Sequence, residues 1–308
     1  MSRGKILITP RSLTLEPDAS LQLLEKEGYE LVFTRAGELP DEKELSGHIP
    51  HCVGWLAGVE PIRRHILERA PRLKAISRNG SGIDNIDLEA AKELNVKVLR
   101  SAGANARGVA ELTVALVFNL ARHIRYSDTA VRHGDWKRKK GMELKDRTIG
   151  LIGCGSIGLQ VAEICLGLGM KVLAYDVYPS NRFSKNPSFR YVDMDFLLKN
   201  VEVISLHCPP ASKPVMDANA LEKMRQGGII INTARSSLID HDALLQCLNS
   251  GQISGFATDV YDQEPPKPHP LFQHINVITT AHIGGYTKES ATRAARQAVE
   301  NLIKALEQ

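Results

Sequence analysis

The stretch "TIGLIGCGSIGLQVAEICLGLGMKVLAYD", residues 148–176, constrains the fold more than any other part of the chain. It sets Gly153-x-Gly155-x-x-Gly158 directly after an apolar, β-branched run and at the start of a helical pattern. An acid, Asp176, then closes the next apolar run. A lone glycine triplet of this kind arises often by chance; the flanking strand, helix and acid make this one specific. The first glycine permits a tight turn, the second lets backbone approach a pyrophosphate, and the third lets helix and strand pack closely. The pyrophosphate would rest on backbone N–H groups at the positive end of the helix. Asp176 can accept hydrogen bonds from ribose hydroxyls and would repel a 2′-phosphate. Val177, Tyr178 and Pro179 follow it with no arginine, so NAD is expected over NADP; Arg182 is the nearest cation beyond them.

Around this motif, short β-branched runs alternate with longer amphipathic ones. Apolar runs at 5–9, 29–34, 52–56 and 73–77 form one series, with helical patterns after Asp18 and opening at Pro61. Runs at 148–153, 171–176, 201–207, 227–232, 253–260 and 276–280 form a second. Strand–helix alternation with apolar strands predicts parallel sheets covered on both faces. A length of 308 residues favours two domains over one core. The fold class is therefore α/β, with two domains. Between the series, residues 105–127 read as one long helix, apolar on several faces and wanting burial on more than one side. The run 288–308 is a helix with no strand after it.

Several function classes are disfavoured. Lysine and arginine (39) exceed aspartate and glutamate (35) by a formal +4, too small a surplus to argue for nucleic acid or membrane. The basic run Trp136–Lys140 reads first as a solvated loop. Five cysteines, Cys52, Cys154, Cys165, Cys208 and Cys247, form no CxxC pair, so reduced thiols are expected and no metal site. No signal segment is read at the start, and no apolar run reaches the roughly 18 residues of a membrane span, so a cytoplasmic chain is expected.

A nicotinamide enzyme acting on an alcohol needs a proton acceptor, a group that orients it, and a cation for the substrate. "INTARSSLID" with Arg235, "ATDVYDQEPP" with Glu264 and "ITTAHIGG" with His282 offer these, each at or just past a predicted strand end. Singly they read as a surface ion-pair residue, a loop acid and a strand-end histidine. Together, behind a dinucleotide motif, they read as a site.

With "SRNGSGIDNIDLEAA" (77–91) and "GVAELTVALVFNLAR" (108–122), these stretches resemble the D-isomer-specific 2-hydroxyacid dehydrogenase family over nearly the whole chain. The resemblance implies a Rossmann-type NAD-binding domain inserted into a smaller flavodoxin-like α/β substrate domain, with the active site in the cleft between them. It puts the substrate-binding domain at residues 1–100 plus 286–308 and the NAD-binding and dimerisation domain at 101–285. It implies homodimers joined through the NAD-binding domain and the long helix, and closure on binding.

Carried over by motif, Arg235 holds the substrate carboxylate and polarises the C2 carbonyl. His282 is the acid/base, and Glu264 fixes its tautomer and favours its protonated form. Asp259 orients the nicotinamide carboxamide. Ser156 and Ile157 present backbone to the pyrophosphate, and Cys208, Thr233, Ala234 and Gly284 complete the cofactor site with Gly153, Gly155, Gly158 and Asp176. Ser81 and Gly82 offer N–H groups to the carboxylate, and Arg78 and Asn105 join them as substrate-binding residues. Asp84 and Asp87 read as turn and helix-capping residues, and His207 as a strand end beside the cofactor.

Among family members the chain most resembles 3-phosphoglycerate dehydrogenases, through "RNGSGIDNIDLEAA", "DWKRKK" and "AHIGGYTKES". That makes 3-phosphoglycerate and 3-phosphohydroxypyruvate the leading expectation, with Arg78 and the Arg138–Lys140 cluster as phosphate partners. One departure matters: where that subfamily carries a phosphate-binding arginine, this chain has "GWLAGVEPI", with no cation before Arg63. Arg100 and Arg107 are the candidate substitutes. The alternative is a hydroxypyruvate, glyoxylate or general 2-oxoacid reductase, and the remote one a non-catalytic NAD-sensing binding protein. Feedback by serine through an added C-terminal domain is not expected.

Overall fold

The computed structural model describes residues 2–307; Met1 and Gln308, the ends of the expected substrate domain, lie outside them. The chain divides into two compact units, residues up to Asn105 with those from Thr287 onward, and Ala106–Tyr286.

The first unit is built on five parallel strands, β1 (Gly4–Ile8), β2 (Tyr29–Phe33), β3 (Cys52–Ala57), β4 (Ala75–Arg78) and β5 (Lys97–Arg100), in the order β2-β1-β3-β4-β5. Successive side chains point to opposite faces, so Ile6, Ile8, Leu56 and Ala75 pack on one side and Leu7, Trp55, Ala57 and Ile76 on the other. The helix Lys288–Leu306 lays Ala295, Ala298, Val299 and Leu302 on the first of these faces. Its alanines permit a close approach. A Cβ at Gly54 of β3 would stand 3.1 Å from Leu306 and 3.3 Å from Leu302. Leu302 has no exposed surface, and trimming such a residue to alanine costs roughly 2–5 kcal/mol. Ser101 ties the segment after β5 to this helix, its hydroxyl donating to the Ala294 carbonyl at 2.8 Å.

The second unit carries seven parallel strands: β6 (Thr148–Ile152), β7 (Lys171–Tyr175), β8 (Phe189–Tyr191), β9 (Val203–Leu206), β10 (Gly228–Asn232), β11 (Ile253–Thr258) and β12 (Val277–Thr279). Their order is β12-β11-β10-β9-β6-β7-β8. The direction of winding reverses between β6 and β9, the kind of switch point where open α/β sheets gather ligands at their carboxyl ends.

Three local expectations are corrected. The single helix over 105–127 is two, Ala106–Ala121 and Ile124–Arg132, because His123 adopts a left-handed conformation (φ 52°). The chain returns there to cap the first helix, Met142 N–H donating to the Ala121 carbonyl at 2.8 Å. The first helix is buried within its own unit, packed with the helix Ser156–Gly167 and the strands, which accounts for its several apolar faces. The helix foreseen at Pro61 begins only at Arg64, because Ile62 is drawn into a parallel bridge with Ile86. Finally, β5 and β8 had not been foreseen from the apolar runs.

Candidate active site

The glycine turn follows β6. Gly153 has φ +90°, and a Cβ there would run into the backbone of His207 and Cys208. A Cβ at Gly158 would overlap the Gly153 carbonyl, so only glycine lets the helix Ser156–Gly167 lie this close to the strand end. Gly155, by contrast, faces open space. The first intrahelical bond runs from Leu159 N–H to the Gly155 carbonyl at 2.9 Å. The N–H groups of Ser156, Ile157 and Gly158 therefore precede it and form the helix's positive end.

Asp176 closes the far side. One carboxylate oxygen accepts from Cys154 N–H at 2.5 Å, the other from Tyr178 N–H at 2.8 Å. Two fixed bonds aim this acid while lone pairs remain for ribose hydroxyls. Arg182 is turned to Glu163 at 2.7 Å. A tight turn, an open approach to helix N–H groups and an aimed acid fit a dinucleotide.

Beneath this turn lies His207, whose Nε2 meets Ser205 Oγ at 2.9 Å. Its Nδ1 is out of water and has no hydrogen-bond partner among the described residues, although the residue as a whole is half-buried. Burial pushes its pKa down to about 3, so the ring stays neutral near pH 7. The half-buried Cys208 thiol is pushed up by burial.

Three further loops leave neighbouring strands β10, β11 and β12. After β10, Asn232 closes a turn, accepting from Ala234 N–H at 3.0 Å and donating to the Arg235 carbonyl at 2.8 Å. Arg235 donates to the Ala234 carbonyl at 2.7 Å, and Thr233 pairs with Thr113 through their hydroxyls at 2.9 Å. After β11 and β12, Glu264 and His282 meet. The imidazole Nδ1 lies 2.7 and 2.8 Å from the two Glu264 oxygens. A carboxylate there requires the proton on Nδ1, so in the neutral ring Nε2, across from it, is the accepting nitrogen.

His282 itself has φ 53°, a left-handed conformation uncommon outside glycine. Asp259 holds it there. This carboxylate is almost wholly buried (1% exposed) and clasps the loop on both sides of the histidine. One oxygen accepts from Thr280 Oγ1 at 2.6 Å and Ile283 N–H at 2.8 Å, the other from Gly284 N–H at 2.7 Å. Three donors offset the cost of burying a charge.

A model of the "D-isomer specific 2-hydroxyacid dehydrogenase, NAD binding domain" matches residues 114–284. The chain belongs to this family. The hydroxypyruvate reductase of Thermotoga maritima is 38% identical over 300 residues, 95% of this chain and 96% of that one. A D-3-phosphoglycerate dehydrogenase from Archaeoglobus fulgidus is 37% identical over 247 residues, 79% of this chain and 47% of that longer one. The chain thus spans about half the length of such phosphoglycerate enzymes. Among solved structures, the Thermus thermophilus TT0316 protein superposes with a TM-score of 0.88 at 34% identity, covering 98% of this chain and 97% of that one. The Escherichia coli D-lactate dehydrogenase gives 0.83 at 30%, covering 97% and 96%. As a member of this family the dehydrogenase is an NAD-dependent oxidoreductase acting on the CH–OH group of small 2-hydroxy acids.

In the first unit, the expected substrate residues Ser81 and Asn105 meet, the serine hydroxyl donating to Asn105 Oδ1 at 2.9 Å and to the Ser101 carbonyl at 3.1 Å. Arg78 folds onto its own turn, donating to the Asn79 carbonyl, and Gly80 (φ +148°) has no room for a Cβ beside that guanidinium. Arg100 reaches the Ser81 carbonyl at 3.4 Å. Asp87 caps the helix Leu88–Glu93 through Ala90 N–H. Sequence reasoning did not single out Glu60. It is fully buried, one oxygen accepting from Thr9 Oγ1 and from Gly58 N–H at 2.9 Å. Its other oxygen has no hydrogen-bond partner among the described residues. Nor did it single out Asn232, Tyr261 and Thr280, which hold these loops through backbone partners and carry no motif of their own.

No helix of the described residues is long and apolar enough to cross a membrane.

Proposed function

We propose that this dehydrogenase interconverts an unphosphorylated short D-2-hydroxy acid and its 2-oxo acid, with hydroxypyruvate as the leading substrate, and that His282 handles the proton. The two-oxygen contact of Glu264 on His282 Nδ1 carries the catalytic part. Bound NAD supplies the hydride acceptor or donor. His282 Nε2 takes the C2 hydroxyl proton in oxidation and returns it in reduction, and the Glu264 carboxylate faces the imidazolium formed in between. Arg235 holds the substrate carboxylate and polarises the C2 oxygen. In the first unit the Ser81–Gly82 turn, with Asn105 and Arg78, is the segment we assign to substrate binding. Ser156 and Ile157 N–H groups carry the pyrophosphate and Asp176 the ribose. Asp259 serves the carboxamide in addition to its clasp, beside Cys208, Thr233, Ala234 and Gly284. Replacing His282 with alanine is expected to keep NADH affinity and to lower turnover by about 10²–10⁴. Near-normal turnover in that variant would remove the assignment.

The substrate reading rests on Glu60. The segment in which phosphoglycerate dehydrogenases carry a phosphate-binding arginine here holds no cation before Arg63, and its acid, Glu60, is fully buried and offers a phosphate no positive charge. Of the substitutes, Arg100 reaches the Ser81 carbonyl at 3.4 Å and Arg107 makes an exposed pair with Glu111 at 2.5 Å, while in the basic run Lys139 lies over the Tyr126 ring at 4.3 Å. Phosphohydroxypyruvate is the second reading, favoured by the phosphoglycerate dehydrogenase relatives. Oxidation of NADH against hydroxypyruvate, glyoxylate, pyruvate and phosphohydroxypyruvate separates the two. A higher kcat/KM for the phosphorylated acid would reverse the order.

A homodimer belongs to the same proposal. The helix Ile124–Arg132 has no buried residue, and Ile124 (51% exposed), Val131 (53%) and Trp136 (79%) present apolar surface around it. Sedimentation at micromolar concentration is expected to return twice the chain mass of 33.9 kDa; a monomer would refute it.

A further inference from the structure

The Glu264–His282 contact is exposed: the two side chains keep 41% and 51% of their surface. Exposed ion pairs hold themselves poorly, because two flexible side chains lose freedom for a Coulomb gain that water screens. The two residues also come from different loops, and the Asp259 clasp reaches residues 280, 283 and 284 without touching Glu264. Something must set the distance between the carboxylate and the ring if a proton is to move at Nε2 on every turnover.

Tyr261 touches both sides. Its hydroxyl donates to the Thr280 carbonyl at 2.7 Å, two residues ahead of His282. Its backbone N–H donates to Glu264 Oε1 at 3.4 Å, a long contact that bears on the same oxygen that meets the imidazole. The ring is itself fixed. It packs edge-on against Phe272 with centroids 5.3 Å apart and planes at 82°, and Phe272 abuts the rings of His241 and His269 at 5.9 and 5.7 Å. Phe272 in turn packs against the core that contains Leu271, Leu244 and Phe256. A rigid aromatic side chain therefore links the core to both members of the pair, beside the Asp259 clasp on His282. Burial raises the Tyr261 phenol pKa above its ordinary value, which keeps it a hydrogen-bond donor over the working pH range.

We propose that Tyr261 is a positioning residue of the dehydrogenase, setting the spacing of Glu264 and His282 by holding the loop of one and the carboxylate of the other. It acts through the pair and does not touch substrate. The proposal rests on the reading of His282 as the proton-transfer group, and the test separates the two ideas.

Tyr261→Phe keeps the ring and its contact with Phe272 and removes the hydroxyl's bonds to the β12 end, to the Thr280 carbonyl and the Thr279 side chain. The expected result is a fall in kcat of tenfold or more, with KM for the 2-oxo acid and Kd for NADH within about twofold of wild type. A second readout needs no turnover. A low-field proton resonance from His282 Nδ1–H, assigned by its loss in His282→Ala, is expected in the wild-type apoenzyme and should be broadened or moved upfield in Tyr261→Phe. Glu264→Gln combined with Tyr261→Phe should lose much less than the product of the single losses, because both act on one pair. Normal kcat with an unmoved resonance, or fully multiplying losses, would overturn the proposal. Should His282→Ala retain turnover, the acid/base reading falls, while the resonance still reports whether Tyr261 holds the ring.

Discussion

The glycine turn after β6 and the loops after β11 and β12 stand at carboxyl ends of the same sheet, yet they are held by opposite means. The turn is fixed by what is missing: at Gly153 and Gly158 a single added carbon would strike backbone. The loops after β11 and β12 are fixed by what is present, side-chain bonds to backbone from Asp259 and Tyr261 across wide sequence separations. The histidines follow suit. His207 has its Nδ1 sealed from water under the turn, whereas His282 keeps 51% of its side chain exposed on a loop. A phosphate cradle can be rigid and built of backbone because its ligand's charge never changes. On the proposed reading His282 exchanges a proton and must remain reachable, so its rigidity has to be supplied from behind.

The sharpest way to break this comparison is Gly153→Ala. The added methyl would have to displace the His207–Cys208 backbone, at a residue whose φ of +90° already disfavours any side chain. NADH binding followed by fluorescence is expected to be lost beyond hundredfold. An alanine variant with unaltered NADH affinity would mean that the turn has slack, and the contrast with the loops would lose its first half.

A smaller effect is expected where the rigidity comes from side chains. Asp259→Asn keeps shape but removes charge, and its amide nitrogen must face a donor that the carboxylate had accepted from. With three bonds at 2.6–2.8 Å depending on that acid, turnover should fall about hundredfold, on the scale of losing one or two charge-assisted bonds that hold a reacting group. Glu264→Gln, which alters an exposed partner, should lose less. If the exposed acid proved the costlier loss, the clasp would not be what holds His282.

The same division explains what could be read in the sequence. The glycine spacing, the strand before it and Asp176 were legible because each feature acts on its neighbours in the chain, where pattern and mechanism coincide. The pairing of Glu264 with His282 was accessible only through the order of several motifs, since nothing local in "DQEPP" or "AHIGG" announces the other. Tyr261 and Thr280 left no trace: a phenol bonded to a carbonyl depends on how two loops lie in space. The strands β5 and β8 were missed for a different reason. They are edge strands of four and three residues with largely exposed or half-buried side chains, so neither shows the continuous apolar run that marked the central strands. The break at His123 was hidden because the apolar period runs on through it while the backbone turns left-handed.

The smallest effect is a slope rather than a loss, and it tests the dry side of the comparison. His207 is neutral in the folded chain down to about pH 3, whereas in the unfolded chain an unperturbed imidazole takes a proton below about 6.5. Between those values the unfolded state holds the extra proton, so stability must fall as pH is lowered from 6.5 toward 3, and this group adds no slope above 6.5. The contribution is at most about 1.4 kcal/mol per pH unit. His207→Gln has no titrating group and can still reach Ser205. Urea unfolding of the apoenzyme between pH 6.5 and 4.5 should therefore give a shallower decline for the variant than for wild type, with the carboxylates common to both cancelling in the difference. Parallel declines would mean that His207 gains its proton in the folded state as readily as in the unfolded one. The space under the glycine turn would then be wet, and the cradle would owe its shape to solvent as much as to the missing side chains.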